Sequence, residues 1–133
     1  MLKKINDKGF SLVELIVVVA IVIILTAALV PNVIGYINKA NVAVTKSAAE
    51  TVYNASVHYI YSEIGKGNSF APNSNIDPTI LWDPNVLLIK EPKDYSTIEI
   101  KVDSTGRLIK YVYYVDSGGN AADFPVGASG KVN

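Results

Sequence analysis

The stretch KGFSLVELIVVV, residues 8–19, decides how the rest of this chain is read. A carboxylate, Glu14, stands near the start of an apolar run from Phe10 to Val30 whose polar interruptions are Ser11, Glu14 and Thr26. Wound as a helix, a run of that length spans about 30 Å, the thickness of a bilayer's hydrocarbon core. Its valines and isoleucines favour strands in water. In lipid a lone strand leaves its backbone polar groups unsatisfied, so a helix is expected. Upstream, Lys3, Lys4 and Lys8 stand against Asp7, a basic leader that should stay on the cytoplasmic side while everything after Val30 is exported.

Downstream, Pro31 closes the run and Gly35 follows. Proline removes one helical hydrogen bond and crowds the preceding turn. Helical patterning resumes at once, so a kink at Pro31 and Gly35 is expected rather than a stop. From Ile37 the chain is amphipathic. Ile37, Ala40, Val44, Ala48, Val52, Ala55 and Tyr59 make one face, widened by Ala49, Tyr53, Val57, Ile60 and Ile64, while Lys46, Glu50, Asn54, His58 and Ser62 form a polar line. Gly65 and Gly67 supply the usual helix ending. Residues 65–96 then read mainly as loop and as exposed, variable surface, with a short strand expected at Val86 to Lys90 between Pro84 and Pro92. Ile98, Ile100 and Val102 alternate with Thr97, Glu99 and Lys101. The turn DSTG (103–106) and the β-rich RLIKYVYYV (107–115) complete an antiparallel hairpin. The glycine-rich tail should hold one more edge segment around Phe124 to Val126. The expected fold is α+β: a long N-terminal helix, apolar in its first half and amphipathic in its second, on a small C-terminal antiparallel sheet. Its parts are a leader (1–9), an apolar helix half (10–35), an amphipathic half (36–64) and a loop-plus-sheet region (65–133).

Composition narrows the chemistry. The 133 residues suffice for one domain. Net charge is zero, so nothing draws the chain to nucleic acid or acidic lipid in general, and no direct nucleic-acid binding is expected. The absence of cysteine excludes disulfides, thiolate zinc sites and cysteine nucleophiles. His58 is the one histidine and sits on the polar line. No phosphate-binding loop, metal-ligand cluster or triad is present, so no enzyme, no cofactor and no metal is expected. Asp116, Asn120 and Asp123 around Gly118 and Gly119 have a calcium-like composition without a calcium loop's spacing, and a glycine-rich turn explains them better. Arg107, Lys110, Tyr111, Tyr113 and Tyr114 suit alternating strand residues better than a base-stacking surface.

The N-terminal third resembles the type IV pilin and pseudopilin family. The resemblance is carried by Lys8-Gly9-Phe10-Ser11-Leu12-Val13-Glu14-Leu15, a basic leader ending in glycine, then phenylalanine, then glutamate four residues on, inside a long apolar helix; Pro31 falls at a familiar position too. It covers about residues 1–40. It implies leader cleavage between Gly9 and Phe10 by prepilin peptidase and methylation of the Phe10 amine. It also implies residence in the cytoplasmic membrane with the C-terminus outside, and then assembly by the pilus machinery into a homo-oligomeric surface filament. Phe10 and Glu14 would be the subunit-assembly residues, the glutamate pairing with the Phe10 amine of a neighbour.

That pairing answers why an acid stands in grease. A carboxylate in a bilayer costs a few kcal/mol on insertion scales, about 3 kcal/mol at the centre. The helix N-terminus favours negative charge, and cleavage creates a cation on a neighbouring copy whose attraction is weakly screened in an oily core. Two rivals compete for the leader. Thr26-Ala27-Ala28 offers a conventional signal-peptidase site before Leu29, and an uncleaved signal anchor is also conceivable. Either would make the chain a single-pass membrane-anchored or secreted binding protein with a coincidental pilin-like N-terminus. Mature N-termini at Phe10, Leu29 or Met1 separate the three.

Overall fold

The computed structural model describes residues 9–132. The chain orders one α-helix, α1 (Leu12–Gly65), then strand β1 (Asn75–Ile76), a 3-10 helix (Pro78–Trp82), β2 (Thr97–Val102), β3 (Ile109–Val115) and β4 (Ala121–Phe124). It divides into two compact units between Asn38 and Lys39.

The first unit, as described, is helix preceded by Gly9, Phe10 and Ser11. Pro31 and Gly35 both lie inside α1, so the helix does not stop at either. The large apolar side chains from Leu12 to Ile37 are exposed all round. This stretch is long and apolar enough to cross a membrane, and none of it is buried within the protein. A helix with no polar face cannot rest in water on its own.

The second unit is α+β. Its helix segment buries Thr45, Ala49, Val52, Ala55, Ser56 and Ile60, with Ala48, Tyr53, Val57, Tyr59 and Ile64 partly buried beside them. Lys46, Glu50, Asn54, His58 and Ser62 are all exposed, as the periodicity requires. The apolar face begins later than its pattern suggests: Ile37, Ala40 and Val44 are exposed. The helix ends in a Schellman motif. Gly67, at φ 89°, donates to Ile64 O and Asn68 donates to Glu63 O. The left-handed position falls to the residue without a Cβ.

The sheet is a four-stranded antiparallel meander, β1-β2-β3-β4. Register places Ile76, Ile100, Val112 and Phe124 in one row across all four strands. Ile98, Tyr114 and Ala122 make the next row. These residues join the helix face in one core, and Tyr53 meets Phe124 with ring centroids 5.1 Å apart. Register shifts between Lys101 and Val102, where Ile109 rather than Lys110 opposes Val102. The extra residue lets Ile109 and Val112 both be buried although they are three apart. The hairpin turn winds around the Asp103 carboxylate, which accepts from the amides of Thr105, Arg107 and Leu108 at 3.1–3.2 Å.

Three expectations need correction. The strand expected at Val86 to Lys90 is a turn. Asp83 accepts from Asn85 N, Val86 N and Leu87 N, and Leu87 takes a φ of 38°. Leu88 N and Ile89 N both donate to the single carbonyl of Leu81. Residues 65–96 are not simply exposed surface. Ile76 and Leu81 are core residues, and Trp82 and Tyr95 link to the buried Tyr114 through ring contacts of 5.9 and 6.5 Å. The last edge segment is Ala121–Phe124 rather than Phe124 to Val126, because Pro125 has no N–H to extend a ladder.

Candidate functional site at the head of the apolar helix

Gly9 and Phe10 lie outside regular structure, and Phe10 is 89% exposed. A Cβ placed at Gly9 would meet nothing within 4 Å. The basic leader, with Lys3, Lys4 and Lys8, lies outside the described residues.

Helix α1 then begins with a reciprocal pair. Glu14 N donates to Ser11 Oγ at 3.2 Å, and Ser11 N donates to Glu14 Oε2 at 2.8 Å. This is a capping box: Ser11 is the N-cap, Glu14 is the third helical residue, and two otherwise orphaned N–H groups are satisfied. Thr26 Oγ1 donates to Val22 O at 2.7 Å. Each polar interruption of the apolar run thus has a partner inside its own helix. That matters in hydrocarbon, where an unpaired polar group costs several kcal/mol, roughly 4–8 kcal/mol by cyclohexane transfer.

The charge of Glu14 is a different matter from its hydrogen bonds. Between residues 9 and 38 the chain has no lysine or arginine. The next lysine or arginine after Glu14 in the sequence is Lys39. Among the described residues, the ion pairs are Lys66–Glu63 and Lys131–Glu99, both remote from it in sequence. Glu14 is therefore a structurally positioned carboxylate in an apolar segment without a cation from its own described chain. The sequence reading missed Ser11 as its positioning group, although the S-x-x-E spacing was there to be read.

The comparisons with known proteins meet this site. Residues 4–30 match the family described as the prokaryotic N-terminal methylation motif, the class III signal of type IV pilins. Neither a curated protein nor a solved structure matches the chain. The motif marks a pilin-like chain of the kind that prepilin peptidase processes, and the helix-on-sheet architecture is pilin-like as well.

The other candidate residues serve the fold. Asp116 accepts from Thr45 Oγ1, Asn120 N and Asn120 Nδ2, each at 2.8 Å. Asp123 accepts from Gly127 N at 2.9 Å and from Ser129 N and Oγ at 2.9 and 2.7 Å. The Asn120 amide and then the Thr45 hydroxyl hold Asp116 below the usual carboxylate range, against its desolvation. Burial pushes Asp123 up, but donation from Ser129 and Gly127 outweighs it and the net shift is down. These donors already occupy the carboxylates that looked calcium-like. Tyr111 and Tyr114 are buried, with hydroxyls donating to Glu99 Oε1 at 2.7 Å and Asp94 O at 2.9 Å. The five basic and aromatic residues of the hairpin therefore do not share one open face. His58 is exposed on the polar line.

Proposed function

We propose that this chain is a structural subunit of a type IV pilus or pilus-like surface filament. The observation that carries the reading is the methylation motif at residues 4–30 on a membrane-length helix whose apolar surface is buried nowhere within the protein. In this scheme prepilin peptidase cuts between Gly9 and Phe10 and the new Phe10 amine is methylated, which keeps its positive charge. The subunit waits in the cytoplasmic membrane with its C-terminus outside. The assembly machinery then withdraws it into a homo-oligomeric filament, where other copies cover the helix. Glu14 has no cation partner among the described residues, and in this scheme it pairs with the Phe10 amine of a neighbour. The attraction is strong in a dry filament core because little solvent screens it. Pro31 and Gly35 are the places where the helix bends to fit that core.

The test is the N-terminus of the protein recovered from sheared surface fibres. A chain starting at N-methylated Phe10 is expected. A chain starting at Met1 or Leu29, or absence of the chain from surface fibres, would overturn the reading. A second measurement addresses the pairing. Glu14→Ala should insert in the membrane normally and fail to enter filaments, and wild-type filament yield from it would refute the ion pair.

A further inference from the structure

The apolar run of the sequence ends at Val30, but the uncovered apolar surface does not. Helix α1 continues through Pro31 and Gly35. Beyond them Val33, Ile34, Tyr36 and Ile37 are all exposed, Tyr36 by 72%. The other end is fixed by the capping box, which starts the helix at Leu12 with the side chains of Ser11 and Glu14 each accepting from the other's amide. From Phe10 to Ile37 the stretch is longer than the roughly 20 helical residues that span a hydrocarbon core. One end is therefore left outside the oil.

Two placements compete. With Phe10 to Val30 in the hydrocarbon, Glu14 and Ser11 lie in oil while Val33, Ile34, Tyr36 and Ile37 stand in water. With Leu15 to Ile34 in the hydrocarbon, Val33 and Ile34 are covered and Phe10, Leu12 and Val13 move into the inner headgroup layer. The apolar exchange is nearly even. The polar exchange is not, because the first placement buries a carboxylate and the second only the amide of Asn32. An ionised carboxylate costs far more in oil than an amide, and Asn32 lies within one turn of the outer end. Thr26, inside the oil in both placements, is bonded to Val22 O and decides nothing.

The aromatic residues agree with the second placement. Tyr36 then falls just past the hydrocarbon, the depth at which tyrosine concentrates because its ring is apolar and its hydroxyl wet. Asn38 and Lys39 follow it in sequence, and Phe10 falls in the opposite headgroup layer. Measured along the helix, Leu12 to Tyr36 is about 36 Å at the standard rise, inside the roughly 40–45 Å of a bilayer with its headgroups.

We infer that before assembly the hydrocarbon core takes Leu15 to Ile34, with Tyr36 at the outer surface and Glu14 and the Gly9–Phe10 bond at the inner one. The inference rests on the filament reading and adds to it the depth of the waiting subunit. The bond to be cut stands where water, the hydrolytic reactant, is present. Glu14 keeps its charge hydrated in the membrane and loses that water only when other copies cover the helix, so its need for a cation arises at assembly.

The chain contains no cysteine, so single cysteines in the full chain report depth. After fibres are sheared from the native cells and the wall is removed, a membrane-impermeant maleimide should label Ile37→Cys at least tenfold faster than Val33→Cys. On inverted membrane vesicles it should label Leu12→Cys at least tenfold faster than Ile16→Cys. Denaturing detergent should equalise all of them. Val33→Cys labelled as fast as Ile37→Cys, or Leu12→Cys as slow as Ile16→Cys, overturns the inference. Protection of Leu12→Cys, Val33→Cys and Ile37→Cys together means a tilted helix that takes in the whole stretch, and overturns it too. Such results in a chain cut at Phe10 leave the filament reading intact. A membrane chain that begins at Leu29 has lost the helix and sinks both.

Discussion

Asp123→Ala should unfold the C-terminal loop and markedly destabilise the globular unit. Asp123 is 2% exposed and accepts from two backbone amides and one hydroxyl, at 2.7–2.9 Å. Hydrogen bonds to an ionised group contribute about 1.5–3 kcal/mol each, and they are not additive. Gly127 is exposed and Ser129 half-buried, so water recovers part of the loss once the carboxylate is gone. A net cost of about 2–3 kcal/mol follows. For a unit of about a hundred residues, each kcal/mol lowers Tm by roughly 4–8 °C, so a fall of roughly 8–24 °C is expected. The assay is thermal unfolding of the detergent-solubilised full chain, followed by circular dichroism at pH 7, with hydrogen exchange at the Gly127 and Ser129 amides. The pH dependence supplies a second signature. The folded pKa of Asp123 lies below its ordinary value. Its contribution is therefore complete above an unfolded pKa of about 3.9 and is lost as pH falls through the folded value. Wild-type and variant stabilities should converge under acid. A Tm change under about 3 °C at pH 7, or a gap between wild type and variant that widens in acid, would refute the claim that this carboxylate orders the tail.

Three further outcomes are expected. Ser11→Ala removes the N-cap acceptor at a cost of about 1 kcal/mol, so the Glu14 amide should exchange faster in micelles while leader cleavage persists. Leu81→Ala, at a fully buried position in the segment that looked like plain loop, should cost about 2–5 kcal/mol in denaturant unfolding. Gly106→Ala places a Cβ 2.3 Å from Phe70 O at a φ of 72°, so it should destabilise by more than the ~1 kcal/mol of an ordinary glycine replacement, measured by the same unfolding curves.

What the sequence determined by itself was whatever depends on local pattern. The apolar run, the acid four residues beyond Phe10, the polar line down the second helix half and the hairpin around DSTG all follow from residue spacing, because helix and strand periods are fixed by backbone geometry. The S-x-x-E box was equally local and was legible in the same way. The tertiary structure decided what depends on residues far apart. Whether Val86–Lys90 was a strand hung on a carbonyl at Leu81, and whether Ile76 and Leu81 were surface or core hung on the row Ile76–Ile100–Val112–Phe124. The shift that turns Ile109 inward also answers to the packing of that sheet, and the tail's order answers to Asp116 reaching Thr45 across 71 residues. A short apolar run looks alike as strand, turn or core plug until a distant partner offers it a hydrogen bond or a hole, and no spacing rule reports that partner.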